Sequence, residues 1–316
     1  MVKTLLKCAD LRTLPVGIAS VLAGAAAAAV NGNFEWLTVS VCLLFIVCFQ
    51  ITANIVHRYS VVLQHSGEHV EEYIQYSQRE MQFPLKKVLH EGIGVMGMLT
   101  IIFSLIIFQM GMGQWWMFLV AVVTVLALYL NSFGVYPLSK TPMNYVLTFL
   151  FFGPVAVVSV TYLQARYHAV DALTWHDLGP GVFCGIVAGI FAGNSVLVYN
   201  ALNIEKDRHF GKHTLATIFG LKGTQLFLTL ASVLAVGAAA FGSVLFMKSI
   251  WWIPTLIVAG GAGVNVWVAR RLGASSLEDY PRLTAWINWT SLAIQLVFVI
   301  IFLACGAPDT RGIDYL

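Results

Sequence analysis

The chain has 316 residues, 59% of them hydrophobic and only 10% charged, with a formal net charge of +3 and a mean hydropathy of +0.80. Soluble globular domains carry about a quarter charged residues. This composition therefore excludes a soluble enzyme or binding module and predicts an integral membrane protein whose apolar residues face lipid as well as one another.

A membrane-spanning helix needs about 20 apolar residues. Nine runs meet that length: 14–30, 36–55, 92–110, 115–133, 143–163, 181–202, 225–247, 251–269 and 285–305. The first is short and rich in Ala and Gly. Its basic flank has some character of a signal peptide, but no polar mature region follows it. A first span whose small residues allow close helix packing is the better reading. In the fifth run, Pro154 removes a backbone donor next to Gly153, which predicts a kink there.

Three loops carry most of the polar residues, at 57–87, 203–222 and 270–282. With nine spans, fifteen of the 18 Lys and Arg fall on the side of these loops. Basic loops stay on the cytoplasmic side, so the N-terminus is expected in the cytoplasm and the C-terminus outside. One polytopic membrane domain, 1–316, is expected, in a bacterial inner membrane. No buried chain of Asp, Glu and His crosses the spans, which argues against an ion-coupled transporter. The five cysteines show no metal spacing and read as small packing residues. His168 and His176 fall on the external side. Trp115, Trp116, Trp251 and Trp252 stand at span starts as interface anchors.

Three stretches carry a resemblance. They are LRTLPVGIASVLAG at 11–24, YPLSKTPMNYVLTFLFFGPVAVV at 136–158 and NALNIEKDRHFGKHTLATIFG at 200–220. Together they resemble the UbiA superfamily of intramembrane prenyltransferases, and within it the 1,4-dihydroxy-2-naphthoate prenyltransferases of menaquinone synthesis. The resemblance implies an all-α bundle of nine transmembrane helices around a cavity open to lipid. It also implies two aspartate-rich motifs, at the cytoplasmic ends of the second and sixth spans, that hold Mg²⁺ on the diphosphate of a polyprenyl donor. The physics suits those parts. Carboxylates four residues apart share one helix face and one hard cation. The cation stabilises the leaving diphosphate, and a lipid-lined cavity keeps water from the allylic carbocation.

The stretch ANIVHRYSVVLQHSG at 53–67 departs from that pattern. The family's first motif resembles NxxNDxxDxxxxxD. Here Asn54 fits, His57 replaces the second Asn, and Arg58, Val61 and Gly67 stand where the three carboxylates would be. The second motif resembles RDxxxDR followed by GKxTLxxxxG. Here Leu202 and Asn203 replace its first two residues, while Glu205, Asp207, Arg208, Gly211, Lys212, Thr214, Leu215 and Gly220 remain. A guanidinium does not lose its charge at ordinary pH. Arg58 would repel Mg²⁺, so the first metal site is expected to be absent.

Two readings follow. In one, the chain transfers a polyprenyl group to a dihydroxynaphthoate-like acceptor with altered diphosphate handling. Asp207 and Asn203, with Glu205, would hold any remaining metal. Asn54, His57, Arg58, Asn200, Lys206, Arg208 and Lys212 would bind the diphosphate, and Glu68, Glu71 and Glu72 are candidates to replace lost carboxylates. Gln50, one turn before Asn54, and Asn144 are further candidates for the cavity wall. In the other reading the chain binds an isoprenoid, a quinone or a lipid phosphate as a non-enzymatic subunit beside a protein partner. Membrane lipid is a partner in both, and no nucleic acid is expected in either.

Overall fold

The apolar runs fold as nine helices in the computed structural model, which describes residues 9–64, 85–111, 113–167, 173–247, 252–273 and 280–305. In order they are Leu14–Val30, Trp36–Gln64, Leu85–Met110, Trp115–Ser132, Met143–Leu150 continued through Phe151–Val155 and Ala156–Tyr167, Trp175–Leu202, Leu215–Met247, Trp252–Arg271 and Tyr280–Cys305. They are the first to ninth spans below. Among the described residues there is no strand.

The first and sixth spans form the centre, with 78% and 72% of their apolar windows buried, against 0% and 6% for the third and fourth. Small residues explain the inner pair. A methyl group added at Gly24 would stand 2.6 Å from Cβ of Val160. One added at Gly189 would stand 2.5 Å from the carbonyl oxygen of Phe149. Such helices meet backbone to backbone, the packing that small residues permit in membranes.

The expected kink is present. Residues Phe151–Val155 widen into a π turn, with Gly153 at φ −107 and ψ −113 and Pro154 inside it. The Ser20 hydroxyl of the first span donates to the carbonyl of Phe152 across the helix interface. A neighbouring helix thus satisfies a backbone group in the broken stretch, which is how irregular backbone survives in lipid.

Of the helix ends that differ from the sequence reading, three stand out. The second span runs past residue 55 to Gln64, because no Gly or Pro interrupts 56–64. His57 and Arg58 therefore stand on a helix, not in the loop assigned to 57–87. The sixth span starts at Trp175, before residue 181. Thr174 caps it, and its N–H (2.8 Å) and Oγ1 hydroxyl (2.7 Å) both donate to Asp177 Oδ2, a capping box that fixes the helix start. The third is the loop 203–222, which contains a short helix, Ile204–His209. There the seventh span begins at Leu215 and breaks at Gly220, where φ is +65.

A void of about 40 Å³ lies between Val30, Phe183, Phe246, Met247 and Phe302. These residues mark the end of the bundle opposite His57. The void is lined by apolar side chains, so it is distinct from the polar end described next.

Candidate functional site

Three segments meet at the basic end of the bundle: the last turns of the second span, the turn before the fifth, and the loop after the sixth. The last of these is the most constrained. The sixth span stops at Asn203, whose φ of −116 and ψ of 16 leave the helical region. Its carbonyl still accepts Asp207 N (2.7 Å), opening the short helix. That helix ends in Gly211, held at φ +65, a left-handed conformation that costs other residues about 1–2 kcal/mol. The reversal brings Lys212 back over the helix it has just left. Lys212 N donates to Asp207 O at 2.8 Å, and Lys212 Nζ donates to Asp207 Oδ1 at 2.9 Å.

Asp207 is buried, with its side chain 4% exposed. Its charge is matched by Lys212 alone among the ion pairs of the described residues. The other candidate metal donors point elsewhere. Asn203 Nδ2 donates to Tyr199 O (2.7 Å). Glu205 is 90% exposed and pairs with Arg208 at 3.4 Å. Arg208 also donates to Thr217 O (3.4 Å), and Lys206 lies exposed on the short helix. Glu68, Glu71 and Glu72 lie outside the described residues.

The turn before the fifth span docks on this loop. His213 N donates to Lys140 O (2.8 Å), and Tyr136 Oη donates to Gly211 O (3.3 Å). Lys140 is thereby brought beside Lys212. Burial, and then the charge of Lys212, hold its ammonium below the ordinary lysine range. On the facing second span, His57 lies within reach of the charges of Lys212, Arg58 and Lys140. Its Nδ1 is buried and has no hydrogen-bond partner among the described residues.

Asn54 and Gln50 act on the N-terminal segment. Asn54 Nδ2 donates to Ala9 O (2.7 Å) and Thr13 Oγ1 (3.0 Å), and Gln50 Nε2 donates to Thr13 O (2.8 Å). They anchor the start of the first span. Asn200 is buried one turn before the sixth span ends, and its carbonyl accepts Asn203 N (3.1 Å). Asn144 opens the fifth span, where its carbonyl accepts the Thr148 hydroxyl (2.8 Å).

The structure thus brings Lys212, paired with Asp207, within reach of His57, beside which Arg58 follows on the same helix, and adds Lys140, which sequence reasoning missed. The signal was available, because Lys140 lies inside one of the three stretches that carry the resemblance. A metal-bound diphosphate needs several oxygen donors carrying negative charge around each ion. Among the described residues no three His, Cys, Asp or Glu side chains gather. Asp207, the one buried carboxylate among the described residues, is paired with a lysine through Oδ1. These donors do not fit a two-metal site.

The fold and this polar end define an all-helical, nine-span integral membrane bundle. No family model matches the chain. It is 28% identical over 239 residues to a 1,4-dihydroxy-2-naphthoate octaprenyltransferase of Haemophilus influenzae, covering 73% of this chain and 74% of the relative. It is 26% identical over 284 residues to a protein of the same name from Mycobacterium leprae, covering 90% and 89%. It superposes with a TM-score of 0.62 on the apo structure of a UbiA homologue from Aeropyrum pernix K1, at 12% identity, over 89% of this chain and 97% of that one. A second structure, described as a digeranylgeranylglyceryl phosphate synthase in membranes, gives 0.58 at 16% identity over 95% and 99%. At such identities the solved structures speak for the fold alone. The chain is thus similar in sequence to bacterial octaprenyltransferases and in fold to a UbiA homologue, and its nine long apolar helices mark it as an integral membrane protein.

Proposed function

We propose that this protein transfers a prenyl group from its diphosphate to an aromatic acceptor of the dihydroxynaphthoate kind. The observation that carries the reading is the likeness, over 73% and 90% of the chain, to two curated octaprenyltransferases of that acceptor. The polar end supports it, since the charges of Lys140 and Lys212 reach His57 on the second span, whose chain neighbour is Arg58. In the reaction the allylic C–O bond breaks and its electron pair leaves with the diphosphate. A ring carbon of the acceptor then bonds to the allylic carbon. The ring regains aromaticity by losing what that carbon carried, a proton or a carboxylate as carbon dioxide. The basic end would face the cytoplasm, where soluble diphosphates and acceptors arrive.

The test is product formation from a polyprenyl diphosphate and dihydroxynaphthoate by the purified protein, followed by mass spectrometry. Prenylated naphthoate is the expected result. A second reading has its own support in the Asp207–Lys212 pair, which removes the retained carboxylate from metal chemistry. In that reading the protein binds an isoprenoid, a quinone or a lipid phosphate as a subunit of a membrane complex. Bound donor without product would select it.

A further inference from the structure

We infer that this site grips a diphosphate with side-chain cations and without a bridging metal, Asp207 having become the group that positions Lys212. The inference rests on the prenyl-diphosphate reading above and says how that same site holds its donor.

Charge balance is the first argument. A two-metal site presents about four positive charges and surrounds them with carboxylates. Here the charges of Arg58, Lys140 and Lys212 all reach His57, and among the described residues the one buried carboxylate is Asp207. Among the described residues, Arg58 and Lys140, both half-buried, form no ion pair. Gathering like charges is unfavourable unless a ligand of opposite sign completes the set. The missing partner is a multiply charged anion. Adding Mg²⁺ would raise the excess instead.

Geometry is the second argument. For Asp207 to ligate a metal through Oδ1 it would give up Lys212 Nζ at 2.9 Å, and through Oδ2 it would hold the new cation beside that ammonium. The backbone opposes that change, because Gly211 at φ +65 and the Lys212 N to Asp207 O bond of 2.8 Å hold Lys212 over the carboxylate. The donor types fit an anion. Arg58 offers a planar fork that matches phosphate oxygens in pairs. Lys140 and Lys212 offer ammonium groups, and His57 Nδ1 is a buried ring nitrogen with no partner among the described residues.

The experiment is equilibrium binding of a radiolabelled prenyl thiodiphosphate, whose bridging sulfur resists ionisation, to the full chain in lipid nanodiscs. It is run in EDTA and again in millimolar Mg²⁺, with no acceptor. The expected Kd differs by less than about threefold between the two conditions. Arg58→Ala and Lys140→Ala, neither of which unpairs Asp207, each weaken binding about tenfold in both conditions, and Arg58→Lys recovers part of the loss. Asp207→Asn weakens binding equally with and without Mg²⁺, as a positioning residue must. A metal ligand would show its effect only in Mg²⁺. Binding that vanishes in EDTA, or Arg58→Ala and Lys140→Ala variants that bind as the parent does, overturns the inference. The two proposals fail separately. Metal-free binding with no product defeats only prenyl transfer, whereas product that requires Mg²⁺ defeats only the metal-free grip.

Discussion

The ammonium of Lys212 and the carboxylate of Asp207 stand 2.9 Å apart, with the carboxylate buried and the lysine reaching it from the far side of a glycine turn. A buried ion pair is costly to halve, because the surviving charge is left without a partner. Lys212→Met is therefore expected to destabilise the fold by about 3 kcal/mol, the low end for a broken buried pair, since this lysine is 34% exposed. The double variant Asp207→Asn with Lys212→Met recovers much of that loss. Thermal unfolding in a mild detergent measures both, and a double variant less stable than Lys212→Met alone contradicts the pairing.

The close approach of the fifth and sixth spans predicts intolerance of single methyl groups. Gly189→Ala places a carbon 2.5 Å from Phe149 O, and Gly153→Ala places one 2.5 Å from Gly185 O. Both contacts are with backbone, which cannot rotate away. Each substitution is expected to cost about 1–3 kcal/mol, as overpacking does. Gly237→Ala, where nothing lies within 4 Å, serves as the control and is expected to unfold with the parent.

Much of this bundle was legible in the chain. Nine apolar runs and the Gly153–Pro154 kink follow from hydrophobic length and from proline's missing donor. Hydropathy could not say which spans lie inside, because the peripheral third span (2.2) is as apolar as the central sixth (2.0). Lipid and protein interior reward the same residues. The small residues of the first span were the better clue to burial. At the site, Arg58 in a carboxylate position was visible at once. The role of Asp207 was not. Spacing alone makes it a metal ligand and Lys212 a phosphate ligand, and only the left-handed turn at Gly211 shows that they bind each other. Lys140 joins through backbone hydrogen bonds from a segment outside either aspartate motif.

Restoring the lost carboxylates should restore a metal site. Arg58→Asp combined with Asn203→Asp removes one positive charge and adds two negative ones at the cluster, giving hard cations a reason to bind. Paramagnetic resonance of Mn²⁺ is expected to detect at least a tenfold gain in affinity over the parent, and binding of the prenyl thiodiphosphate becomes sensitive to EDTA. A double variant with parental Mn²⁺ affinity contradicts the view that these two positions decide metal handling.

The cluster also predicts a pH dependence. Lys140 has its pKa lowered by burial and then by the charge of Lys212, so it loses its proton earlier than an ordinary lysine, whose value is about 10.4. Deprotonation removes a positive charge. Diphosphate binding is therefore full below the Lys140 transition and weakens as pH rises through it. The groups that face this region are Lys212, paired with the Asp207 carboxylate, and His57 on the second span, with Arg58 next to it. Lys140→Arg carries its charge to higher pH, and its binding curve is expected to extend further into the alkaline range. Parent and variant curves that coincide there contradict the assignment of Lys140.

The central claim is tested most directly by the rate of diphosphate release from a polyprenyl diphosphate in the presence of dihydroxynaphthoate, as free Mg²⁺ is taken from zero in EDTA to millimolar. The account predicts product and diphosphate in equal amounts, at a rate that is already near its maximum with no free Mg²⁺. A rate that starts at zero and saturates with Mg²⁺ would contradict it and return Asp207 to the metal.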